Sequence, residues 1–300
     1  MGVIAVVQLN AGSDRVVNLA LVDRMVGEAA AKGAALVCLP ECFDYITSSD
    51  DPDDRWEHYE PLNGPLMLSY CALAAKHGVW LSLGGYHELI SHERLSNTHV
   101  IVNAKGAIVA SYRKAHLFDV CIRVADGSFR ESDGTEAGKG LVVVKGTPVG
   151  SLGLATCYDV RFPGLFTALR DRGADVLLVP SAFMPGTGQA HWEPLLRARA
   201  IENQCYVVAA AQTGTHGVSR ASHGHSLIVD PWGSVLVDLQ HEPDTVGVVP
   251  VKHDAIADIR TSMPIWSHRR DDLYPGLDRA VVSVVDVSCD VTPTEDVGES

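Results

Sequence analysis

Short apolar runs rich in valine, isoleucine and leucine alternate with stretches of helical periodicity along most of this chain, and that alternation limits the fold more than any other feature. Runs of four to eight such residues suit buried strands, whereas longer stretches with apolar positions three and four apart bury one helical stripe. The two kinds in turn predict an α/β protein. Strands are expected at residues 3–9, 35–39, 79–83, 98–102, 108–112, 141–144, 149–155, 175–179, 206–211, 224–229, 235–238 and 245–249. Helices are expected from about 13 to 32, with Ser13 as N-cap, and over 64–77, 161–172 and 192–203. The cluster Ala104-Lys105-Gly106 joins two of the strands as a hairpin.

Residues 122–140 are polar, glycine-containing and without period, so they form a long loop of the kind that serves as a lid. Beyond Tyr274 the chain turns polar apart from a valine-rich patch at 281–287, and it ends acidic. The 300 residues are therefore read as one domain over 1–275 and a tail over 276–300, loosely held or docked on a partner subunit.

A formal net charge of −13 speaks against a nucleic-acid partner, which needs clustered Lys and Arg. No apolar run approaches the roughly 20 residues of a membrane helix. A strand beginning at residue 3 leaves no room for a leader, so a cytoplasmic protein is expected. Seven cysteines, an odd number without a CxxC pair, are read as reduced thiols. His223 and His225 are spaced like metal ligands, but a hydrogen-bonded core or interface role is the better reading, and no metal is expected.

Three residues stand directly beyond expected strands. Glu41 follows Val37-Cys38-Leu39-Pro40, Lys114 follows Ser111-Tyr112-Arg113, and Cys157 follows Leu152-Gly153-Leu154-Ala155-Thr156. Strand ends are where α/β proteins place their sites. Each alone has an ordinary explanation: a surface acid, a solvated cation, a small buried thiol. Together they supply a base, a cation and a nucleophile, and a partly buried Glu41 is expected to have a raised pKa suited to general-base work.

The surrounding words, Leu39-Pro40-Glu41, Tyr112-Arg113-Lys114-Ala115-His116-Leu117-Phe118-Asp119 and Cys157-Tyr158-Asp159-Val160-Arg161-Phe162-Pro163, resemble the carbon-nitrogen hydrolase (nitrilase) superfamily in content and order. The resemblance covers about residues 3–275 and implies a four-layer α-β-β-α sandwich. It implies a Glu41-Lys114-Cys157 triad, with Glu41 as base, Cys157 as the nucleophile that forms a thioester, and Lys114 with the backbone N–H of Tyr158 as oxyanion partners. No metal or organic cofactor is required by that chemistry. Glu131 matches by position a second glutamate beside the lysine.

The segment Thr187-Gly188-Gln189-Ala190-His191-Trp192-Glu193 resembles the pocket border of the Nit branch, whose substrates are small carboxylate-bearing amides. Nit proteins divide into ω-amidases acting on 2-oxoglutaramate-type compounds and amidases that repair deaminated glutathione, and words such as Asp230-Pro231-Trp232-Gly233 favour the second. Arg161 and Thr187, with Phe183 as an apolar wall, are the candidate substrate contacts, although Arg161 could instead pair with Asp159. The resemblance also implies a homodimer or higher homo-oligomer, with helices 162–172 and 192–203 at its interface. Two readings of another kind stay open: a binding or signalling protein that lost activity, and a Cys-His hydrolase using His116 or His191 as base.

Overall fold

The computed structural model describes residues 2–46, 58–91, 94–121, 128–217, 220–270, 272–273 and 281–288. The expected lid at 122–140 lies partly outside them. In chain order the elements begin β1 (Val3–Gln8), α1 (Arg15–Ala31), β2 (Leu36–Leu39), α2 (Pro65–His77), β3 (Trp80–Ser91), β4 (Arg94–Val102) and β5 (Ile108–Arg113). There follow β6 (Asp119–Cys121), β7 (Ser128–Arg130), β8 (Leu141–Thr147), β9 (Gly150–Leu154), α3 (Pro163–Asp171), β10 (Val176–Leu178), α4 (Pro185–Asn203) and β11 (Tyr206–Ala209). The last are β12 (Thr213–Thr215), β13 (Ala221–His223), β14 (Leu227–Val229), β15 (Val235–Asp238), β16 (Thr245–Pro250), α5 (His253–Ser262) and β17 (Val282–Asp286).

Two sheets carry the architecture, one in the order β16-β1-β2-β3-β4-β5 and the other β15-β14-β11-β10-β9-β8-β17. Strand side chains alternate between faces, and here both faces are apolar. In β1, Ala5 and Val7 face Val22, Met25 and Val26 of α1 and Tyr70 of α2, while Ile4 and Val6 face the second sheet. In β10 and β11, Leu177 and Val207 meet Phe166 of α3 and Trp192 of α4, while Leu178 and Val208 point to the first sheet. Three apolar layers thus separate helix, sheet, sheet and helix, which is the expected α-β-β-α sandwich.

Several elements differ from the sequence reading. The cap of α1 is Asp14, whose carboxylate accepts from the N–H groups of Val16 (2.9 Å) and Val17 (3.1 Å), and not Ser13. Helix α4 starts at Pro185, whose fixed φ suits a first helical position, so Thr187 and His191 lie on a helix and not in a loop before it. Gly188 within it is a packing glycine, since a Cβ there would stand 2.3 Å from His223 Cγ. The valine-rich patch expected in a loose or partner-bound tail is strand β17, paired parallel with β8 from Val282↔Leu141 to Asp286↔Lys145 at the edge of the second sheet. β-Branched residues fit that pleated, half-covered position.

Candidate active site

The site is carried by the segments that follow β2 in the first sheet and the parallel neighbours β9 and β10 in the second. Glu41 lies just past β2, Cys157 just past β9, and Ala182 just past β10. Lys114 follows β5, and its backbone N–H donates to the Asn97 carbonyl on β4 at 2.9 Å. Cys157 opens a 3-10 turn over Cys157–Arg161. Its N–H is fixed by the Pro180 carbonyl at 2.8 Å and its φ is 47°, a left-handed conformation that a side chain rarely adopts and that clusters at functional sites.

The side chains of Glu41, Lys114 and Cys157 converge and are almost wholly buried, with exposures of 4%, 2% and 8%. Glu41 Oε1 accepts from Lys114 Nζ at 3.0 Å and from Asn97 Nδ2 at 2.8 Å, and its Oε2 accepts from the Ala182 N–H at 2.9 Å. The Glu41 charge acts on the buried Cys157 thiol. Lys114 Nζ also donates to Glu131 Oε2 at 2.8 Å, so the ammonium lies between two carboxylates. Glu131 takes further bonds from the Phe118 N–H (2.7 Å) and from Asn97 (3.0 Å).

These neighbours set the charges. Burial alone would push the Glu41 carboxyl up, but the Lys114 charge and the hydrogen bonds from Cys157, Asn97 and Lys114 outweigh it and hold the group below the usual carboxylate range. The sequence expectation of a raised Glu41 was therefore wrong in sign, because it counted burial without the buried cation. Burial pushes the Cys157 thiol well above its ordinary value, and the Glu41 charge adds to that. Burial opposes the Lys114 charge, yet Glu131 and Glu41 hold its ammonium well above the normal lysine range. The resting set is a thiol, a carboxylate and an ammonium. Such a set can pass a proton from sulfur to Glu41 as sulfur attacks, beside a fixed positive charge.

A second layer ties the set together. Asp159, fully buried, accepts from Tyr112 Oη (2.7 Å), from the Thr156 N–H (2.9 Å), and from both the N–H (3.0 Å) and ring Nδ1 (2.7 Å) of His116. Asp159 is thus occupied, and Arg161 makes no ion pair with it. The Arg161 guanidinium lies 5.1 Å from the centre of the Phe183 ring and 5.7 Å from that of Tyr158, and donates to His191 Nδ1 at 3.2 Å. Arg161, Phe183 and the Tyr158 ring are therefore brought together, whereas the Thr187 hydroxyl donates to the Met184 carbonyl of its own helix at 3.4 Å. His116 is held by Asp159 and stacked on Phe162 (3.7 Å), and His191 is engaged with Arg161. The carboxylate whose charge acts on the Cys157 thiol is that of Glu41.

Asn97 and the Ala182 N–H were missed from the sequence. Asn97 lies one residue before the strand expected at 98–102, and an amide in a strand carries no signal that separates it from a solvent-facing one. His223 and His225 stack at 4.7 Å, with His241 edge-on to His225 at 4.6 Å. Among the described residues no group of three or more His, Cys, Asp or Glu is arranged to hold a metal ion, and no helix is long and apolar enough to cross a membrane.

A doubly sheeted α-β-β-α sandwich with a thiol, a carboxylate and an ammonium gathered at its strand ends is the architecture of a hydrolase acting on carbon-nitrogen bonds. The chain belongs to the carbon-nitrogen hydrolase family, whose pattern matches residues 3–261. It is 46% identical over 278 residues to deaminated glutathione amidase of Homo sapiens, covering 91% of this chain and 84% of that one. It is 43% identical over 272 residues to the protein of the same name from Dictyostelium discoideum, covering 89% and 93%. The crystal structure of the C. elegans NitFhit protein superposes with a TM-score of 0.84 at 42% identity, covering 91% of this chain and 66% of that one.

Proposed function

We propose that this chain hydrolyses deaminated glutathione to 2-oxoglutarate and cysteinylglycine through a thioester on Cys157. The observation that carries the catalytic part is the convergence of three buried side chains, with Glu41 bonded to the Lys114 ammonium and its charge acting on the Cys157 thiol. As sulfur attacks the amide carbon, Glu41 takes the thiol proton and then returns it to the departing amine. The Lys114 ammonium and the Tyr158 N–H, in a helical first turn whose amides lack intrahelical acceptors, serve the developing oxyanion. Water, activated by Glu41, then cleaves the thioester. Glu131 holds the Lys114 ammonium in place, and Asn97 bridges the two carboxylates.

The substrate part is supported by the names of the human and Dictyostelium relatives and by Arg161, a cation with no carboxylate partner among the described residues. It suits a substrate carboxylate, with Phe183 as the apolar wall and Thr187 at the border. We place the protein in the cytoplasm as a homodimer or higher homo-oligomer, in keeping with apolar Ile201 exposed on α4.

The test is a parallel assay of the purified protein on deaminated glutathione and 2-oxoglutaramate, reading cysteinylglycine and ammonia. The expected kcat/KM is at least about tenfold higher for deaminated glutathione. A preference for 2-oxoglutaramate would make the protein an ω-amidase, and turnover by Cys157→Ala at the wild-type rate would overturn the catalytic reading.

A further inference from the structure

Glu41 is held at its carboxylate by Lys114, Asn97 and the Ala182 N–H, and at its backbone by one further side chain. Gln212, fully buried, lies beyond β11 where the two sheets meet: it forms a parallel bridge with Leu9, just past β1, and its N–H donates to the Ser181 carbonyl at 2.9 Å. Ser181 directly precedes Ala182. From there the Gln212 side chain crosses to the turn after β2. Its Nε2 donates to the Glu41 carbonyl at 3.1 Å and to the Cys42 carbonyl at 3.2 Å, and its Oε1 accepts from the Ala11 N–H at 3.1 Å. Carbonyls only accept and an N–H only donates, so these partners fix which way the amide points.

The backbone that Gln212 grips is not relaxed. Cys42 is left-handed, with φ of 58°, and its own N–H donates to the Gly85 carbonyl at 3.1 Å. A residue with a side chain keeps that conformation only where its surroundings impose it. Gly85 on β3 and Gln212 from the second sheet supply the imposition, directly beside Glu41.

A second glutamine offers a matched comparison. Gln8, also fully buried, accepts from the Ser226 N–H at 2.8 Å and donates through Nε2 to the carbonyls of Leu239 (3.4 Å), Gln240 (3.1 Å) and Glu242 (2.8 Å). It makes the same kind of tie, but to Ser226 and the turn after β15 instead of the turn of Glu41.

We propose that Gln212 is a positioning residue for the base: by clamping the Glu41 and Cys42 carbonyls, it sets where the Glu41 carboxylate meets Lys114, Asn97 and the Ala182 N–H. The inference rests on the reading of Glu41 as the base of amide hydrolysis. Gln212 itself meets no reacting atom. Without the clamp the turn shifts, and the carboxylate loses its alignment with three donors that other segments carry. Chemistry is sensitive to misplacement of this kind, whereas Arg161 and Phe183, the candidate substrate contacts, stand on segments that the Gln212 amide does not touch.

Gln212→Met keeps the length of the side chain and removes its polar contacts, and Gln8→Met does the same at the matched position. Both are expected to lose stability in urea unfolding, because buried partners go unpaired. The variants are assayed on deaminated glutathione and, in parallel, on 2-oxoglutaramate. Gln212→Met is expected to lower kcat about 10- to 100-fold while KM changes less than about threefold. The acid limb of its kcat/KM profile is expected at higher pH, since the donors that hold the Glu41 carboxyl down are no longer aligned. Gln8→Met is expected to keep the wild-type kcat and profile. Gln212→Glu, of the same shape with fewer donors, is expected to show the same split and decides the matter if Gln212→Met does not fold. Matching kcat and pH profile in the Gln212 and Gln8 variants overturn the proposal, as does a fall in kcat/KM that lies wholly in KM. Turnover that persists in Cys157→Ala overturns instead the hydrolytic reading beneath it.

Discussion

Tyr112 donates its hydroxyl to Asp159 across 2.7 Å, and this bond joins the turn that carries Lys114 to the turn that carries Cys157. His116, two residues beyond Lys114, binds the other oxygen of the same carboxylate through its backbone and its ring. Lys114 is therefore anchored from both sides to a residue two positions after Cys157. Asp159→Asn would set an amide N–H against groups that all donate. A stability loss of about 2–4 kcal/mol by urea unfolding is expected, since buried donors lose a charged acceptor. A fall in kcat of about 10- to 100-fold with little change in KM is expected from misplaced reacting groups. Wild-type kcat in a folded Asp159→Asn protein would show that the tie does not position the site.

Asn97 Nδ2 donates to two carboxylates, Glu41 Oε1 at 2.8 Å and Glu131 Oε1 at 3.0 Å. Two acids and one ammonium leave an excess negative charge, and the amide offsets part of it. Asn97→Ala removes a bond that holds Glu41 below the usual carboxylate range, so the Glu41 pKa rises. The base works as its carboxylate, and activity is lost as pH falls through that pKa. The acid limb of the kcat/KM profile should move to higher pH, with kcat near neutrality lowered about tenfold. A profile superimposable on wild type would remove Asn97 from the machinery.

The positions of Glu41, Lys114 and Cys157 were legible because each stands where an apolar run stops, and their order along the chain matched a family word by word. What escaped notice depended on contacts between segments distant in sequence. The strand expected over 79–83 is longer, running as β3 from Trp80 to Ser91. Gly84 is there for space, since a Cβ would stand 2.0 Å from Pro180 Cβ, beside the backbone that fixes Cys157. Nothing local distinguishes β17 from a loose valine-rich tail, because its partner β8 lies far upstream. The sign of the Glu41 shift was hidden for the same reason, as the cation that decides it comes from another strand.

Arg161 lies between two aromatic faces with its charge directed to no described carboxylate. Arg161→Met keeps much of the packing stem and removes the cation. If the guanidinium binds a substrate carboxylate, KM should rise about 10- to 100-fold, the loss of one charge-assisted contact, with kcat changed far less. His191→Ala, which removes only the 3.2 Å support of Arg161, should give a smaller rise in the same direction. Equal KM values for Arg161→Met and wild type would assign the arginine to packing alone.

His99 lies fully buried on β4, hydrogen-bonded to the Ala155 carbonyl at 3.0 Å through Nδ1 and to Ser82 Oγ at 2.7 Å through Nε2. Ala155 leads into Thr156 and Cys157, so the imidazole supports the strand end that presents the nucleophile. Burial lowers the His99 pKa from 6.5 to about 4. The folded protein therefore keeps this ring neutral where an unfolded chain already binds a proton. Stability from this group is full above pH 6.5 and is lost as pH falls toward about 4. Across that window the loss is of order 3 kcal/mol, taking about 1.4 kcal/mol per unit of difference. Urea unfolding at a series of pH values should show this decline, and His99→Gln, which cannot gain a proton, should flatten it while lowering stability at neutral pH. An unchanged slope in His99→Gln would place the acid sensitivity elsewhere.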